Sequence, residues 1–432
     1  MISLRIPLGV ATLAILASGA SRKAQSQSLD SRIRSSSAPR VQFDFPARSD
    51  VCGDGQGFLS VGGGSSYYGN VNIVNGVSSQ PCAAGPVRVV IDRADGTVTG
   101  IETVAGPLHP VDGATDLGSV TAKDAVDYLM SIATKTDGRA SRDAILPAAI
   151  AAGVDVSPSL VTIALDQNRP LDTRRSALSW LARDNPGNAG VHTSDVTELL
   201  LRVARNENET QAMRRHALSL LGRVGHGAGI PALTRLASDN STTWIGDESL
   251  RTLAQSGDPR AREFLRKEVR RTDLPDAQMA VVVRGLGGSE ATGQDVELLR
   301  NAFSVFSGDR ARSAVMDVVA QRGTASDAQW LLDIARDAHQ SPETRRRALD
   351  IAARSTSGSA QTLGLYDTID DASLKQSLIR IYAQNSDRAS VDKLISIAKS
   401  DSNYALRRSA IASLSRTQDP RARQALLEMT AR

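Results

Sequence analysis

An arginine pair recurs along this chain, each time followed two residues later by Ala-Leu or Ala-Ile. Its copies are Arg174-Arg175, Arg214-Arg215, Arg345-Arg346 and Arg407-Arg408. The second and third copies stand 131 residues apart and the third and fourth 62, so a unit of about 31 to 33 residues fits both gaps. The first two copies stand 40 residues apart, which is a looser spacing. A fixed period of this size predicts a solenoid, in which each unit buries its apolar face only against its neighbours.

Each unit is predicted to consist of two amphipathic helices. In the first helix apolar residues recur at i, i+3, i+4 and i+7, which gives one apolar stripe. One copy of this stripe is Val196, Leu199, Leu200 and Val203. The second helix opens with the arginines and buries the Ala and Leu that follow them. The string Asp258-Pro259-Arg260-Ala261-Arg262 begins another unit and returns 161 residues later; proline is tolerated at a first helical position and stops the preceding helix.

The repeat unit has an acidic residue in the turn, Arg-x-x-Ala-Leu on the second helix and Asp-Pro-x-x-Arg at the start of the next unit. This combination resembles the short bacterial HEAT-like repeat, related to the phycobilisome-lyase type. The signatures of tetratricopeptide and ankyrin units are missing. The resemblance covers roughly residues 119–432 and implies an all-α, right-handed α-solenoid of about nine two-helix repeats, the last one truncated. It is weak for activity, because the repeat hosts scaffolds, lyases and hydroxylases alike.

The first twenty residues are typical of a secretory signal peptide. Arg5 supplies the positive charge, residues 6–17 form an apolar run, and Ser18-Gly19-Ala20 offers small residues for cleavage. The run is short for a bilayer span, so an uncleaved membrane anchor is the less favoured alternative. No second hydrophobic stretch of spanning length follows. The sequence therefore predicts a mature chain without a stable membrane span, exported to the periplasm or the extracellular space of a bacterium.

Two segments are expected between the signal peptide and the repeats. Residues 21–40 are serine-rich and basic with few large apolar groups, which predicts a disordered tether. From Val41 apolar residues alternate with polar ones, and apolar stretches flank the turn Ala94-Asp95-Gly96, which is a hairpin signal. We therefore expect a small β module over residues 41–118.

The two cysteines of the chain, Cys52 and Cys82, both lie in the predicted β module. An even number of cysteines in one segment of an exported protein favours a disulfide, with two free thiols as the alternative. Closing a loop of about 30 residues would stabilise the module by roughly 3–4 kcal/mol. Such a crosslink matters here because so short a segment buries little apolar area by itself.

The arginines are the candidate functional residues. The net charge of the chain is only +4, but arginines concentrate on the second helices, which the resemblance places on the concave surface of the solenoid. We expect the second arginines of the pairs to face a partner there: Arg175, Arg215, Arg346 and Arg408. The first arginines, together with acids two residues before them, are expected to form a structural ladder between units: Arg174, Arg214, Arg345 and Arg407, with Asp172 and Glu343.

The sequence lacks the catalytic motifs that would point to an enzyme. The histidines are His109, His192, His216, His226 and His339, and the chain has no His-Glu-x-x-His zinc motif and no Gly-x-Ser-x-Gly elbow. A metal pair at His216 and His226 is less favoured than two ordinary histidines. Aromatic residues make up 3% of the chain, which argues against stacking platforms for nucleic acid. The sequence predicts no catalytic residue, no cofactor and no metal.

Taken together, these features predict a non-catalytic exported scaffold or adaptor that binds a protein partner, expected to be acidic, through the concave face of the repeats. Two alternatives stay open. One is a phycobilin-lyase-like enzyme or accessory factor that acts on a bound chromophore or prosthetic group. The other is that the β module binds the partner and the repeats act as a spacer.

Overall fold

The computed structural model describes residues 28–62, 66–69, 73–74, 77–78, 81–183, 192–239, 243–354, 356–385 and 387–430. The predicted signal peptide and the first seven residues of the predicted tether lie outside these ranges. The chain divides into two compact units, Met1–Gly229 and Ile230–Arg432. Among the described helices, none has the length and hydropathy that crossing a membrane requires.

A short helix, α1 (Leu29–Ser35), lies in the segment that the sequence predicts to be disordered. Leu29 and Ile33, one helical turn apart, are both buried, and Arg93 donates a hydrogen bond to the carbonyl of Ile33 at 2.7 Å. The prediction of a disordered tether over residues 21–40 is therefore wrong for residues 28–40. Two apolar side chains on one face are enough to dock this helix, although the average composition of the segment conceals them.

Within the residues that the structure describes, the β module contains two four-stranded sheets and a two-stranded ribbon. Its strands are β1 (Arg40–Phe45), β2 (Val51–Gly53), β3 (Phe58–Val61), β4 (Ser66–Gly69), β5 (Ile73–Val74), β6 (Val77–Ser78), β7 (Ala83–Ala84), β8 (Val87–Ala94), β9 (Thr97–Ala105) and β10 (Thr115–Ser119). The first sheet has the order β10-β1-β8-β9, with β1 and β10 parallel and the other neighbours antiparallel. The second sheet has the order β4-β3-β2-β7, and β5 pairs with β6.

Two features of the module were expected from the sequence and are confirmed. The hairpin between β8 and β9 turns at Asp95 and Gly96, both with positive φ (50° and 76°), as a tight hairpin turn requires. Cys52 in β2 and Cys82, directly before β7, form a disulfide. The crosslink joins two strands that are also paired in the second sheet.

The core of the module lies on the first sheet. Val41, Phe43 and Phe45 alternate along β1 and are fully or almost fully buried. The central strand β8 is buried throughout its first five residues, including Arg88. Arg88 is tolerated there because its guanidinium forms two hydrogen bonds with the carboxylate of Asp44, at 2.7 and 2.8 Å.

The helices of the first unit follow the strands. They are α2 (Ala122–Lys135), α3 (Arg139–Asp143), α4 (Ile145–Ala149), α5 (Ser157–Leu165), α6 (Leu171–Leu181), α7 (Thr193–Arg205) and α8 (Gln211–Leu221), followed by a 3₁₀ turn over Val224–His226. α5 packs on α6 and α7 on α8, and the second helices α6 and α8 also pack together. α3 and α4 are two halves of one broken helix, because Pro147 cannot donate to the carbonyl of Asp143 and clashes with it.

The β module is joined to these helices within the first unit. Ala47 bridges to Ala151, and the backbone N–H of Arg48 donates to the carbonyl of Ile150 at 3.0 Å. The boundary predicted at 118/119 therefore falls inside a compact unit that extends to Gly229.

The second unit consists of helix pairs. They are α9 (Ile230–Asp239) with α10 (Trp244–Gln255), α11 (Pro259–Glu268) with α12 (Asp276–Leu286), α13 (Gly293–Ala302) with α14 (Asp309–Gln321), α15 (Ala325–Arg336) with α16 (Pro342–Arg354), α17 (Thr356–Leu365) with α18 (Ala372–Asn385), and α19 (Arg388–Ser400) with α20 (Tyr404–Leu414), before α21 (Pro420–Thr430). Each first helix packs on its own second helix, and consecutive second helices from α10 to α20 pack side by side. The predicted helical repeats preceded by a small β module are confirmed, while the handedness and the number of repeats stay predictions.

Acidic capping residues link consecutive first helices of this unit. Thr292 and Asp295 form a capping box at the start of α13, and Asp295 also accepts hydrogen bonds from Arg266 of α11, the shorter at 2.6 Å. Asp327 in the capping box of α15 accepts in the same way from Arg300 of α13. Burial would raise the pKa of Asp295, but the hydrogen bonds from Arg266 and Thr292 lower it to about 2.

Candidate functional site

The first arginine of three pairs points back to the first helix of its own unit. In each case Nε donates to a backbone carbonyl ten residues earlier, in the last turn of that helix. The bonds join Arg174 to Ala164 (3.1 Å), Arg214 to Ala204 (2.9 Å) and Arg345 to Ala335 (3.0 Å). The last carbonyls of a helix have no intrahelical partner and carry the negative end of its dipole. A guanidinium at this position donates a hydrogen bond to such a carbonyl and places a positive charge next to the negative end of the dipole.

The remaining guanidinium nitrogens of Arg174 and Arg345 reach the next unit. Arg174 forms a two-bond ion pair with Glu209, and its Nη1 lies 3.0 Å from Oε1. Arg345 Nη1 lies 2.9 Å from a carboxylate oxygen of Asp371. Both acids stand in the loop directly before the next second helix, α8 or α18. Arg174 and Arg345 therefore form rungs between neighbouring units, as the ladder hypothesis expects.

The acids of these rungs differ from the predicted ones. Asp172 is exposed and Arg174 pairs with Glu209 instead; Glu343 is also exposed, and it pairs with Arg346 rather than with Arg345. The physical reason is helix geometry. Residues two apart on a helix point in nearly opposite directions, so an acid at that distance cannot meet an arginine that points inward.

Arg407 departs from the pattern. Its Nη1 donates to the carbonyls of Asp401 and Ser402, at 2.6 and 3.2 Å, in the loop between α19 and α20. That loop has three residues, where the loops before Arg174 and Arg345 have five. The shorter loop changes which carbonyls lie within reach of the guanidinium.

One rung was missed because it lacks an arginine pair. Arg312 on α14 donates to the side-chain oxygen of Gln340, in the loop before α16. Arg312 stands 33 residues before Arg345, so the period of the repeat alone could have indicated it.

The second arginines lie at the surface of the second helices. Arg175, Arg215, Arg346 and Arg408 are all exposed. Arg346 forms an ion pair with Glu343, but 47% and 68% of the two side chains are exposed, and such surface pairs contribute little to stability. Their role in partner binding stays a prediction.

His216, on the same surface as Arg175, links two second helices. Its Nε2 lies 2.8 Å from Oγ of Ser179 on α6 and 3.1 Å from the carbonyl oxygen of Arg175. Burial, and then the positive charge of Arg175, lower the pKa of His216. His216 is therefore a structural contact between α6 and α8. In the part of the chain that the structure describes, no group of three or more potential ligands could hold a metal ion.

We call the exposed side of α10, α12, α14, α16, α18 and α20 the second-helix face of the second unit. Polar contacts cross it from helix to helix. Arg347 on α16 lies 2.9 Å from a carboxylate oxygen of Asp317 on α14, and Arg380 on α18 lies 3.4 Å from one of Asp350 on α16. Arg347 directly follows the pair Arg345-Arg346. Both ion pairs bridge neighbouring second helices, but they are partly exposed and contribute little to stability.

A cleft of about 630 Å³ opens on this face across α12, α14 and α16. Val318 and Ile351 form its apolar floor, and both are buried. Gly287 lies so close to Val318 that an added Cβ would be 2.1 Å from a methyl group of that side chain. The cleft exists because small residues end α12 at the place where it passes the next second helix.

Charged and polar groups stand at the edge of the cleft. Arg284 on α12 and Arg354 at the end of α16 line it and are exposed, as is Gln321. Asp317 also lines the cleft, but Arg347 neutralises it. Across the residues that the structure describes, no ion pair engages Arg284 or Arg354, so the cleft carries two uncompensated positive charges.

In a comparison with known families, the model for HEAT repeats matches residues 196–284 and 364–432. These ranges begin in α7 and in α17, and the second includes the pair Arg407-Arg408. A search of the curated proteins finds no match to the chain. The resemblance drawn from the arginine pairs and the Asp-Pro turns is thereby confirmed at the level of the repeat.

Proposed function

We propose that this HEAT-repeat protein is a non-catalytic binding scaffold, exported from a bacterial cell, which holds an acidic protein partner on its second helices. HEAT repeats generally act as protein-interaction scaffolds. The observation that carries the proposal is the difference between the two arginines of a pair. Arg174 and Arg345 are used in rungs between units, whereas Arg175 and Arg346 are exposed on the same helices.

Exposed arginines suit this role for two reasons. The planar guanidinium binds carboxylates in a two-bond geometry, and arginine is enriched at protein interfaces. Positive charge repeated on several second helices also steers an acidic partner toward the surface before contact. Many weak charged contacts of this kind make binding strongly dependent on salt.

The test is capture of partners from a bacterial envelope extract at low and at high salt. In the test variant, Arg175, Arg215, Arg346 and Arg408 are all changed to Glu. A matched control makes the same charge change at exposed basic residues of first helices: Arg202, Arg205, Lys267 and Arg388. Circular dichroism checks that both variants fold.

We expect the protein and the control to capture a partner at low salt and the test variant to lose it. Retention by the test variant would overturn the proposal. Equal loss in both variants would also overturn it, because net charge rather than the second helices would then decide binding.

Two further parts of the proposal are tested on the same material. Export predicts that the protein from cell fractions begins near Ser21, which N-terminal sequencing would show. The phycobilin-lyase-like alternative predicts visible absorbance of the purified protein, and a colourless preparation after incubation with a bilin would count against it.

A further inference from the structure

The cleft across α12, α14 and α16 combines features that a peptide site needs. Val318 and Ile351 give it an apolar floor, and the exposed amide of Gln321 can bond with a peptide backbone. Its volume of about 630 Å³ lies in the range of sites that bury a ligand. Its walls belong to second helices that pack on each other, so little ordering is needed on binding.

The charges of the cleft restrict the ligand. Arg284 stands on α12 and Arg354 at the end of α16, so one helix separates the two arginines. Packed helices lie 8–10 Å apart, which places these two helices roughly 16–20 Å apart. An extended chain rises about 3.3 Å per residue, so about six residues cover this distance.

We infer that this cleft binds an extended segment of the partner in which two acidic residues, about five positions apart, flank a short apolar stretch. The acidic side chains pair with Arg284 and Arg354, and an apolar side chain between them lies on Val318 and Ile351. The inference rests on the proposed function and adds the chemistry of the recognised segment. It concerns a different set of arginines from the second arginines of the pairs.

The probe is a fluorescein-labelled hexapeptide with glutamate at both ends and Ala-Leu-Val-Ala between them, titrated with the purified protein by fluorescence anisotropy. Two comparison peptides carry glutamine at both ends, or both glutamates side by side in the centre. We expect each comparison peptide to bind at least about tenfold more weakly, because either change removes a charged contact in a partly desolvated site.

Three variants of the protein locate the site. Arg284→Gln and Arg354→Gln should each weaken binding of the acidic peptide about fivefold to tenfold. Gly288→Leu should abolish it, since a Cβ at Gly288 has room and the added side chain would fill the cleft. Arg310→Gln is the matched control, because Arg310 is exposed at the start of α14 and does not line the cleft.

The outcomes of this experiment test the cleft independently of the proposed scaffold function. Binding that is unchanged in Arg284→Gln, Arg354→Gln and Gly288→Leu, or no binding of the acidic peptide at millimolar protein, would overturn the inference. A dimer that Gly288→Leu converts to a monomer would also overturn it, because a second copy of the chain would then occupy the cleft. None of these results alters the proposed function, which depends on partner capture by the test variant and its matched control.

Discussion

The β module and the helical repeats are held together in different ways. In the module, β1 pairs with β10 from the far end of the segment, and a disulfide crosses 30 residues of sequence. In the repeats, each helix pair contacts its neighbours, and arginine rungs join one unit to the next. The destabilisation caused by losing one contact should therefore extend through the whole module but remain local in the repeats.

The two regions also differ in where a buried arginine finds its acidic partner. In the module, Arg88 and Asp44 satisfy each other within one sheet. In the repeats, a buried arginine finds its acid one unit further along the chain, so the charge pair is itself the link between units. The stability of a unit and its link to the next unit thus depend on the same atoms.

The largest effect is expected at the buried rung of the first unit. Only 4% of each side chain in the pair Arg174–Glu209 is exposed. Arg174→Ala leaves the carboxylate of Glu209 buried without its partner, which should lower the free energy of unfolding by about 3–5 kcal/mol. Hydrogen exchange followed by mass spectrometry should show faster exchange in α6 and α8. Arg175→Ala, at the exposed neighbour, is the control, and an equal effect of both substitutions would contradict the rung.

The module should respond to loss of its crosslink. The double change Cys52→Ser and Cys82→Ser removes a loop closure worth roughly 3–4 kcal/mol. Amides throughout β1, β8 and β9 should exchange faster, because the two sheets share one module, whereas amides of α14 and α16 should be unchanged. If protection is lost only next to the two cysteines, the module does not respond as a single cooperative body.

The sequence predicts the repeats well because their signal is periodic. Arg174 and Arg345 lie in rungs, as the recurring pair indicates, and the period alone would have added Arg312. Their acids could not be read from a fixed spacing, since Glu209 lies 35 residues after its arginine and Asp371 only 26. Loops of different length between the helices cause this variation.

Other parts of the molecule depend on contacts that no local pattern reveals. α1 was missed because two buried apolar residues are diluted by a polar, basic segment. The cleft was missed because the meaning of Gly287 depends on Val318, which lies on the next second helix. A glycine at the end of a helix reads as an ordinary stop signal until its neighbour in space is known.

The capping acid of the second unit should make the repeats sensitive to acid. The pKa of Asp295 is about 2 in the folded chain and 3.8 as the ordinary value. Because the folded pKa is lower, its contribution of about 2 kcal/mol is present above pH 4 and is lost as the pH falls toward 2. Urea unfolding at several pH values, compared between the protein and Asp295→Asn, measures this. The stability difference should shrink toward pH 2, and a constant difference would show that the carboxylate is not responsible.

The smallest effect is expected where an ion pair lies at the surface of a repeat. Glu343 and Arg346 pair on α16, two thirds and half exposed, so Glu343→Gln should lower the free energy of unfolding by no more than about 0.5 kcal/mol. At 0.5 M salt even this difference should vanish, because exposed charges are screened over a few ångströms.

The matched change is Asp371→Asn. It removes the rung partner of Arg345, which lies on the same helix as Arg346, and should lower the free energy of unfolding by about 1–2 kcal/mol with little dependence on salt. Equal costs for the two changes would mean that burial does not separate the rung arginine from its exposed neighbour. Arg346 would then have a structural role as well, and its exposure would no longer support a role in partner binding.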